Sequence, residues 1–234
     1  MAASAALTFI TSAWASPMTT RVKICGIKTG AAMTAALDGD AEYVGLVFFP
    51  KSPRNVSIAE ARSLAERARG RAAIVALLVD PTDAEVVAVT SGLAPDYLQL
   101  HGHETPTRVR DIRNAGKTPI IKAISVTTKD DAACAMGYRE LVEMILFDAK
   151  PPTGVSLPGG NGQSFDWMVV REMRQQFPFM LSGGLTADNV QTAIRICHPM
   201  AVDVSSGVET APGVKDTGLI RAFIAAAKSA HRAG

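Results

Sequence analysis

Cysteine is scarce in this 234-residue chain: Cys25, Cys134 and Cys197 are the only three, and no two form a C-x-x-C pair. That count and spacing exclude a disulfide framework and a zinc cluster, and suit a reducing compartment, the cytoplasm. An excess of charge of either sign is also missing. Lys and Arg number 24 against 22 Asp and Glu, giving a net charge of +2, and the two signs are interleaved. No global field therefore draws in nucleic acid or an anionic membrane, and no like-charge block marks an interaction tail. A small molecule is the default partner. No apolar run approaches the roughly 18 residues that cross a bilayer. No G-x-G-x-x-G follows the first apolar strand, which removes the main signal of a dinucleotide site. The opening stretch, residues 1–17, is small and apolar, but it has no Lys or Arg in its first part and is broken by Thr and Ser. It reads as a loose extension or a mis-set start before Met18 rather than as a targeting segment.

What is present is alternation. From Arg21 onward, short apolar runs fit strands buried on both faces: Val22–Cys25, Tyr43–Phe48, Ala73–Val79, Tyr97–Leu100, Ile120–Ile124, Met144–Phe147, Phe179–Leu181 and Ala201–Val204. Between and after them lie helical patterns at Ile58–Arg69, Asp83–Ser91, Thr105–Ala115, Phe165–Gln176, Ala187–Cys197 and Asp216–His231. Ser57, Thr82, Ser164 and Thr186 stand where N-caps belong. The weakest helical unit is Lys129–Arg139, which Gly137 and Tyr138 disturb. Eight strands, each followed by a helix, predict one α/β domain, a TIM-type (β/α)8 barrel over residues 18–234. An open doubly wound sheet usually has fewer strands. The longest irregular connection, residues 149–163, is Gly- and Pro-rich, and long loops in compact barrels are usually functional.

In such a barrel the C-terminal strand ends share one opening. Polar residues predicted there are Cys25, Arg54, Gln99, His101, Lys122, Asp148, Ser182 and Ser205. Two glycine-bearing segments, Ser182-Gly183-Gly184 and Ser205-Ser206-Gly207, follow the seventh and eighth strands. Glycine lets backbone N–H groups approach an anion, so the pair points to a phosphate cradle; the bland alternative is two ordinary turns. Cys25 is either a buried apolar cysteine or a thiolate base, and Lys23, two residues earlier on the same strand face, is expected to favour the thiolate. Asp148 is either a turn cap or a general acid, since loss of solvent at a strand end favours the protonated carboxyl. Asp203 is a competing carboxylate that also suits a structural role. Arg54 is a carboxylate clamp or a solvated loop residue. His101 and His103 invite a metal reading, but no third ligand stands at sensible spacing, so no metal site is expected.

The segments VKICGIK, GLVFFPKSPRNVS, LQLHGHE, ILFDAK with GGNGQSFDW, LSGGLTADNV, and AVDVSSGVE with PGVKD resemble, in order, the motifs of the phosphoribosylanthranilate isomerase family of tryptophan biosynthesis. The resemblance runs from Val22 to Lys228. It implies an Amadori rearrangement of a phosphosugar, an aldose–ketose isomerisation, with Asp148 as general acid and Cys25 as general base. By the same resemblance Arg54 holds the anthranilate carboxylate, and Gly183, Gly184, Ser206 and Gly207 form the phosphate cradle. No cofactor is implied, because only protons move; the assembly is a monomer or a homodimer. Lys28, an extra stretch in the loop after the sixth strand, and GGNG where GGTG or GGSG is usual depart from the pattern. The rivals are another phosphosugar barrel enzyme, which needs paired Lys and Glu or metal-binding His and Asp, and a non-catalytic phospho-ligand barrel, which needs neither Cys25 nor Asp148.

Overall fold

The computed structural model describes residues 19–150, 159, 160, 162 and 164–230. The extension at 1–17 and most of the loop 149–163 lie outside the described residues. Eight parallel strands close into a barrel in chain order: β1 (Arg21–Cys25), β2 (Tyr43–Phe48), β3 (Ala73–Leu78), β4 (Tyr97–Leu100), β5 (Ile120–Val126), β6 (Met144–Ala149), β7 (Phe179–Leu181) and β8 (Ala201–Val204). β8 pairs with β1 through Arg21↔Ala201 to Ile24↔Val204, which leaves no free edge in the barrel. A short antiparallel hairpin of β9 (Glu209–Ala211) and β10 (Val214–Lys215) follows β8.

The helices are α1 (Gly30–Asp38), α2 (Ile58–Ala68), α3 (Asp83–Leu93), α4 (Pro106–Ala115), α5 (Lys129–Ala133), α6 (Val190–Cys197) and α7 (Thr217–Ser229). Their starts follow from side-chain capping. Ser57 and Thr82 accept from the backbone N–H groups of Glu60 and Glu85, whose carboxylates bond back to the caps, holding both glutamates below the usual carboxylate range. Thr105 and Asp216 cap α4 and α7.

Two predicted helices need correction. Phe165–Gln176 is not an α-helix but two 3-10 pieces, Trp167–Val169 and Arg171–Gln175. Its cap is Asp166 rather than Ser164, and the aromatic and β-branched run Trp167 to Val170 disfavours a continuous helix. α6 starts at Val190 instead of Ala187, because Asn189 turns its side chain back to accept from the Thr186 N–H. The weak unit after β5 is a single α-turn continued as a 3-10 stretch, Cys134–Tyr138.

The core has two regions. Between strands and helices lies a continuous apolar layer that includes Ile24, Val44, Leu46, Phe147, Phe179 and Phe223. Inside the barrel, Tyr43, Val75, Ile121, Met144, Leu146 and Met180 fill the lower part, and Cys25, Val47 and Leu77 pack near the top. Strand side chains alternate between these regions with a period of two. Lys23 and Cys25 therefore share the inward face, Cys25 nearer the mouth.

Candidate active site

The strand ends converge on one cleft at the barrel mouth. Cys25, Arg54, His101, Asp148, Gly183, Gly184, Asp203, Ser205, Ser206 and Gly207 all line it. Lys23 lies beneath, fully buried.

Cys25 pairs in register with Gly45 of β2, and the N–H groups of Gly26 and Ile27 both donate to the Gly45 carbonyl. Glycine is required at 45: a Cβ there would stand 2.9 Å from Cys25 Sγ. Burial pushes the Cys25 thiol above its ordinary value. The Lys23 ammonium pulls it down, Asp203 adds to the rise, and Lys215 opposes it without cancelling it. Lys23 thus favours the thiolate, as its place on the same strand face suggests, but burial outweighs it. Lys23 Nζ lies 3.0 Å from Asp203 Oδ1, the register partner across the β1–β8 seam. Burial disfavours the Lys23 ammonium, but Asp203 and Cys25 together hold its pKa above the usual lysine value. Asp203 thus joins the site through an ion pair, with Ser182 Oγ at 3.4 Å from its second oxygen.

Asp148 is the penultimate residue of β6 and is buried. Its Oδ1 accepts from the Ala149 N–H of the same strand at 2.9 Å. Its other oxygen faces the cleft, 3.2 Å from His101 Nε2, though off the line of a hydrogen bond. Gln99 Nε2 stands 2.8 Å from His101 Nδ1. With the amide nitrogen donating there, the ring hydrogen sits on Nε2, toward Asp148. Gly159 closes over this pair: a Cβ on it would lie 2.6 Å from Asp148 Oδ2. His103 is instead at the surface beside Asp80.

Gly183 and Gly184 have φ of +90° and +61°, a left-handed pair that lets the backbone turn around an anion. With Ser205, Ser206 and Gly207 they form the rim beside β7 and β8.

Arg54 is not a solvated loop residue. It is buried, and its Nε and Nη2 donate to the two Glu209 oxygens at 2.8 Å each. Lys215 Nζ donates to Glu209 Oε1 at 2.7 Å and to the Ser205 carbonyl at 2.8 Å. Neither Glu209 nor Lys215 stands out among the candidate residues, because in sequence they look like an ordinary charged hairpin. A signal existed in their place within AVDVSSGVE and PGVKD, two of the segments that carry the family resemblance. Lys122 departs from the prediction in the other direction. It leaves the cleft to pair with buried Glu104 at 2.7 Å, and also donates to the carbonyls of Gly102 and Ala123.

Residues 22–226 match the family model described as N-(5'-phosphoribosyl)anthranilate (PRA) isomerase. An N-(5'-phosphoribosyl)anthranilate isomerase of Rhodopseudomonas palustris (strain BisA53) is 51% identical over 211 residues, 90% of this chain and 97% of that protein. Among solved structures, a dimeric phosphoribosylanthranilate isomerase of Thermotoga maritima, studied as generated monomers, superposes with a TM-score of 0.78 at 36% identity. It covers 90% of this chain and all of that one. A phosphoribosyl anthranilate isomerase in complex with reduced 1-(o-carboxyphenylamino)-1-deoxyribulose 5-phosphate gives 0.79 at 35% identity, with the same coverage. By sequence and by fold, the chain belongs to the N-(5'-phosphoribosyl)anthranilate isomerase family.

Proposed function

We propose that this chain converts N-(5'-phosphoribosyl)anthranilate to 1-(o-carboxyphenylamino)-1-deoxyribulose 5-phosphate, with Asp148 as general acid and Cys25 as general base. The observation that carries this reading is that one sulfur and one carboxyl, on β1 and β6, line a single cleft whose far rim is the glycine pair after β7. Asp148 gives its proton to the furanose ring oxygen, the C1–O bond breaks, and the nitrogen lone pair forms the open-chain imine. Cys25, as thiolate, takes the proton from C2, and the electron pair moves through C1 to the nitrogen to give the enolamine. Loss of the C2 hydroxyl proton and protonation at C1 yield the ketone, so the reaction is proton-neutral overall. Arg54 receives the anthranilate carboxylate, and Gly183, Gly184, Ser205, Ser206 and Gly207 hold the phosphate.

Lys23 and Asp203 serve this chemistry indirectly. They form a neutral buried pair directly below Cys25, which supports the sulfur without adding net charge. The Ala149 N–H holds one Asp148 oxygen, and His101 stands beside the other. The assembly is a monomer or a homodimer, as the dimeric relative allows, and works in the cytoplasm. No described helix is long and apolar enough to cross a membrane.

The test follows the loss of substrate fluorescence with purified protein. Cys25→Ala and Asp148→Ala should each lower turnover by about 100- to 10,000-fold, the usual worth of a positioned acid or base. Binding of inorganic phosphate should survive in both. Unimpaired turnover in either variant removes the assignment.

A further inference from the structure

Glu209 sits where two buried cations meet, and it lies outside the lining of the main cleft. It opens onto a neighbouring cleft bounded by Pro53, Thr210 and Pro212. Its carboxylate takes Arg54 side-on, through Nε and Nη2, and at the same time accepts from Lys215. The Glu209 and Lys215 side chains are 4% and 2% exposed, so water does little to screen the cluster. Arg54 Nη2 gives a further hydrogen bond to the Gly160 carbonyl at 3.2 Å. The arginine stem is equally confined, since a Cβ on Gly26 would meet Arg54 Cδ at 2.6 Å. After these bonds, Nη1 is the one guanidinium nitrogen with no hydrogen-bond partner among the described residues. A Cβ on Gly160 would stand 2.6 Å from it, so only the glycine leaves room there.

The charges show why the carboxylate is needed. Burial disfavours the Glu209 anion, but Arg54 and Lys215 together hold its pKa below the ordinary glutamate value. Lys215 is pushed below the usual lysine value by burial, with Arg54 adding to the fall, even though Glu209 opposes it. One anion thus serves two cations that repel each other. Without it, Arg54 and Lys215 would face each other unshielded.

We propose that Glu209 is a positioning residue for substrate recognition: it fixes the plane of the Arg54 guanidinium so that Nη1 alone receives the ring carboxylate. The proposal rests on the reading of Arg54 as the carboxylate holder given above. Glu209 therefore sets selectivity for an ortho-carboxylated arylamine rather than overall affinity for the sugar phosphate. A role confined to stability would weaken every ligand alike.

The experiment measures two dissociation constants on each protein. One ligand is reduced 1-(o-carboxyphenylamino)-1-deoxyribulose 5-phosphate, and the other is its counterpart lacking the ring carboxylate. The ratio of the two constants compares ligands on the same folded molecules, so a partly unfolded preparation does not distort it. Glu209→Gln should shrink the ratio about tenfold, the factor carried by one charge-assisted hydrogen bond, with little change for the counterpart. Glu209→Asp keeps the charge but is one methylene short of spanning Nε and Nη2. It should shrink the ratio too, and provides the same readout if the Gln variant does not fold. Arg54→Lys should lose the preference, and adding Glu209→Gln to it should change nothing further. A wild-type ratio in Arg54→Lys would remove the reading of Arg54, and this proposal with it. Loss of the preference in Arg54→Lys with a wild-type ratio in both Glu209 variants would overturn this proposal alone.

Discussion

Gly45→Ala is the sharpest probe of the barrel mouth, because it adds one methyl group where the fold leaves no room for it. The new Cβ would lie 2.9 Å from Cys25 Sγ, 3.1 Å from Cys25 Cα and 3.3 Å from Cys25 Cβ. Relaxed separations of this kind are about 3.5–4.0 Å, so the sulfur must retreat by roughly 1 Å, or β1 and β2 must part. Rotating the side chain relieves only the sulfur, because the backbone of Cys25 stays where it is. A displacement of about 1 Å in a reacting group costs on the order of 100-fold in rate. Overpacking should also cost about 1–3 kcal/mol, at about 2–4 °C of melting temperature per kcal/mol for a chain of this size. The assay pairs steady-state kcat with thermal melting by circular dichroism. Repeating the substitution in Cys25→Ala removes the nearest atom and should recover part of the lost stability but none of the rate. Wild-type kcat in Gly45→Ala, or an equal loss of stability in both backgrounds, would refute the packing argument.

Other outcomes follow from the same geometry. The base role proposed for Cys25 needs the thiolate, and burial raises the pKa of this thiol, so the rising limb of kcat/KM against pH shifts to the alkaline side and should still be climbing at about pH 8.5; a plateau below pH 7 would contradict it. Asp203→Ala strands the buried Lys23 ammonium and should cost about 3–5 kcal/mol by denaturant unfolding, whereas an exposed pair such as Arg71–Asp38 should cost under about 1 kcal/mol. Burial pushes the Cys197 thiol up to about 12, so the folded state holds that proton when the unfolded chain has released it; stability contributed there is lost as pH rises from about 9 toward 12. Cys197→Ala should flatten that alkaline decline in unfolding titrations. Gly183→Ala places a Cβ 2.6 Å from the Ala149 N at φ of +90° and should raise KM and weaken inorganic phosphate binding, and an unchanged phosphate affinity would contradict the rim's role.

The strands were legible because burial on both faces leaves a continuous apolar run. Tyr43–Phe48, Tyr97–Leu100, Phe179–Leu181 and Ala201–Val204 fall where the sequence puts them. The ends of β5 and β6 were less so, since Ser125 and Asp148 interrupt the apolar run while the backbone pairing continues to Val126 and Ala149. Helices with a Ser or Thr cap and a Glu three residues on were readable; the segment after Ser164 was not, because its cap-like residue does not cap. In the site, residues at strand ends could be collected from position alone. What stayed hidden was pairing: that Lys23 belongs to Asp203, that Lys122 belongs to Glu104, and that Glu209 joins Arg54 to Lys215. The first pair is 180 residues apart and meets only because β8 closes on β1; the second, 18 residues apart, meets through the pairing of the neighbouring strands β4 and β5.

The seam between β1 and β8 has a consequence for how the molecule comes into being. As the polypeptide emerges during synthesis, the proposed base and acid are made long before the segment that completes the anion-holding rim. Until Ala201–Val204 arrives, β1 and β7 each offer a bare row of amide and carbonyl groups to any other strand nearby. The last step of ring formation therefore protects the nascent chain from sticking to its neighbours and, in the same stroke, brings the chemistry into existence.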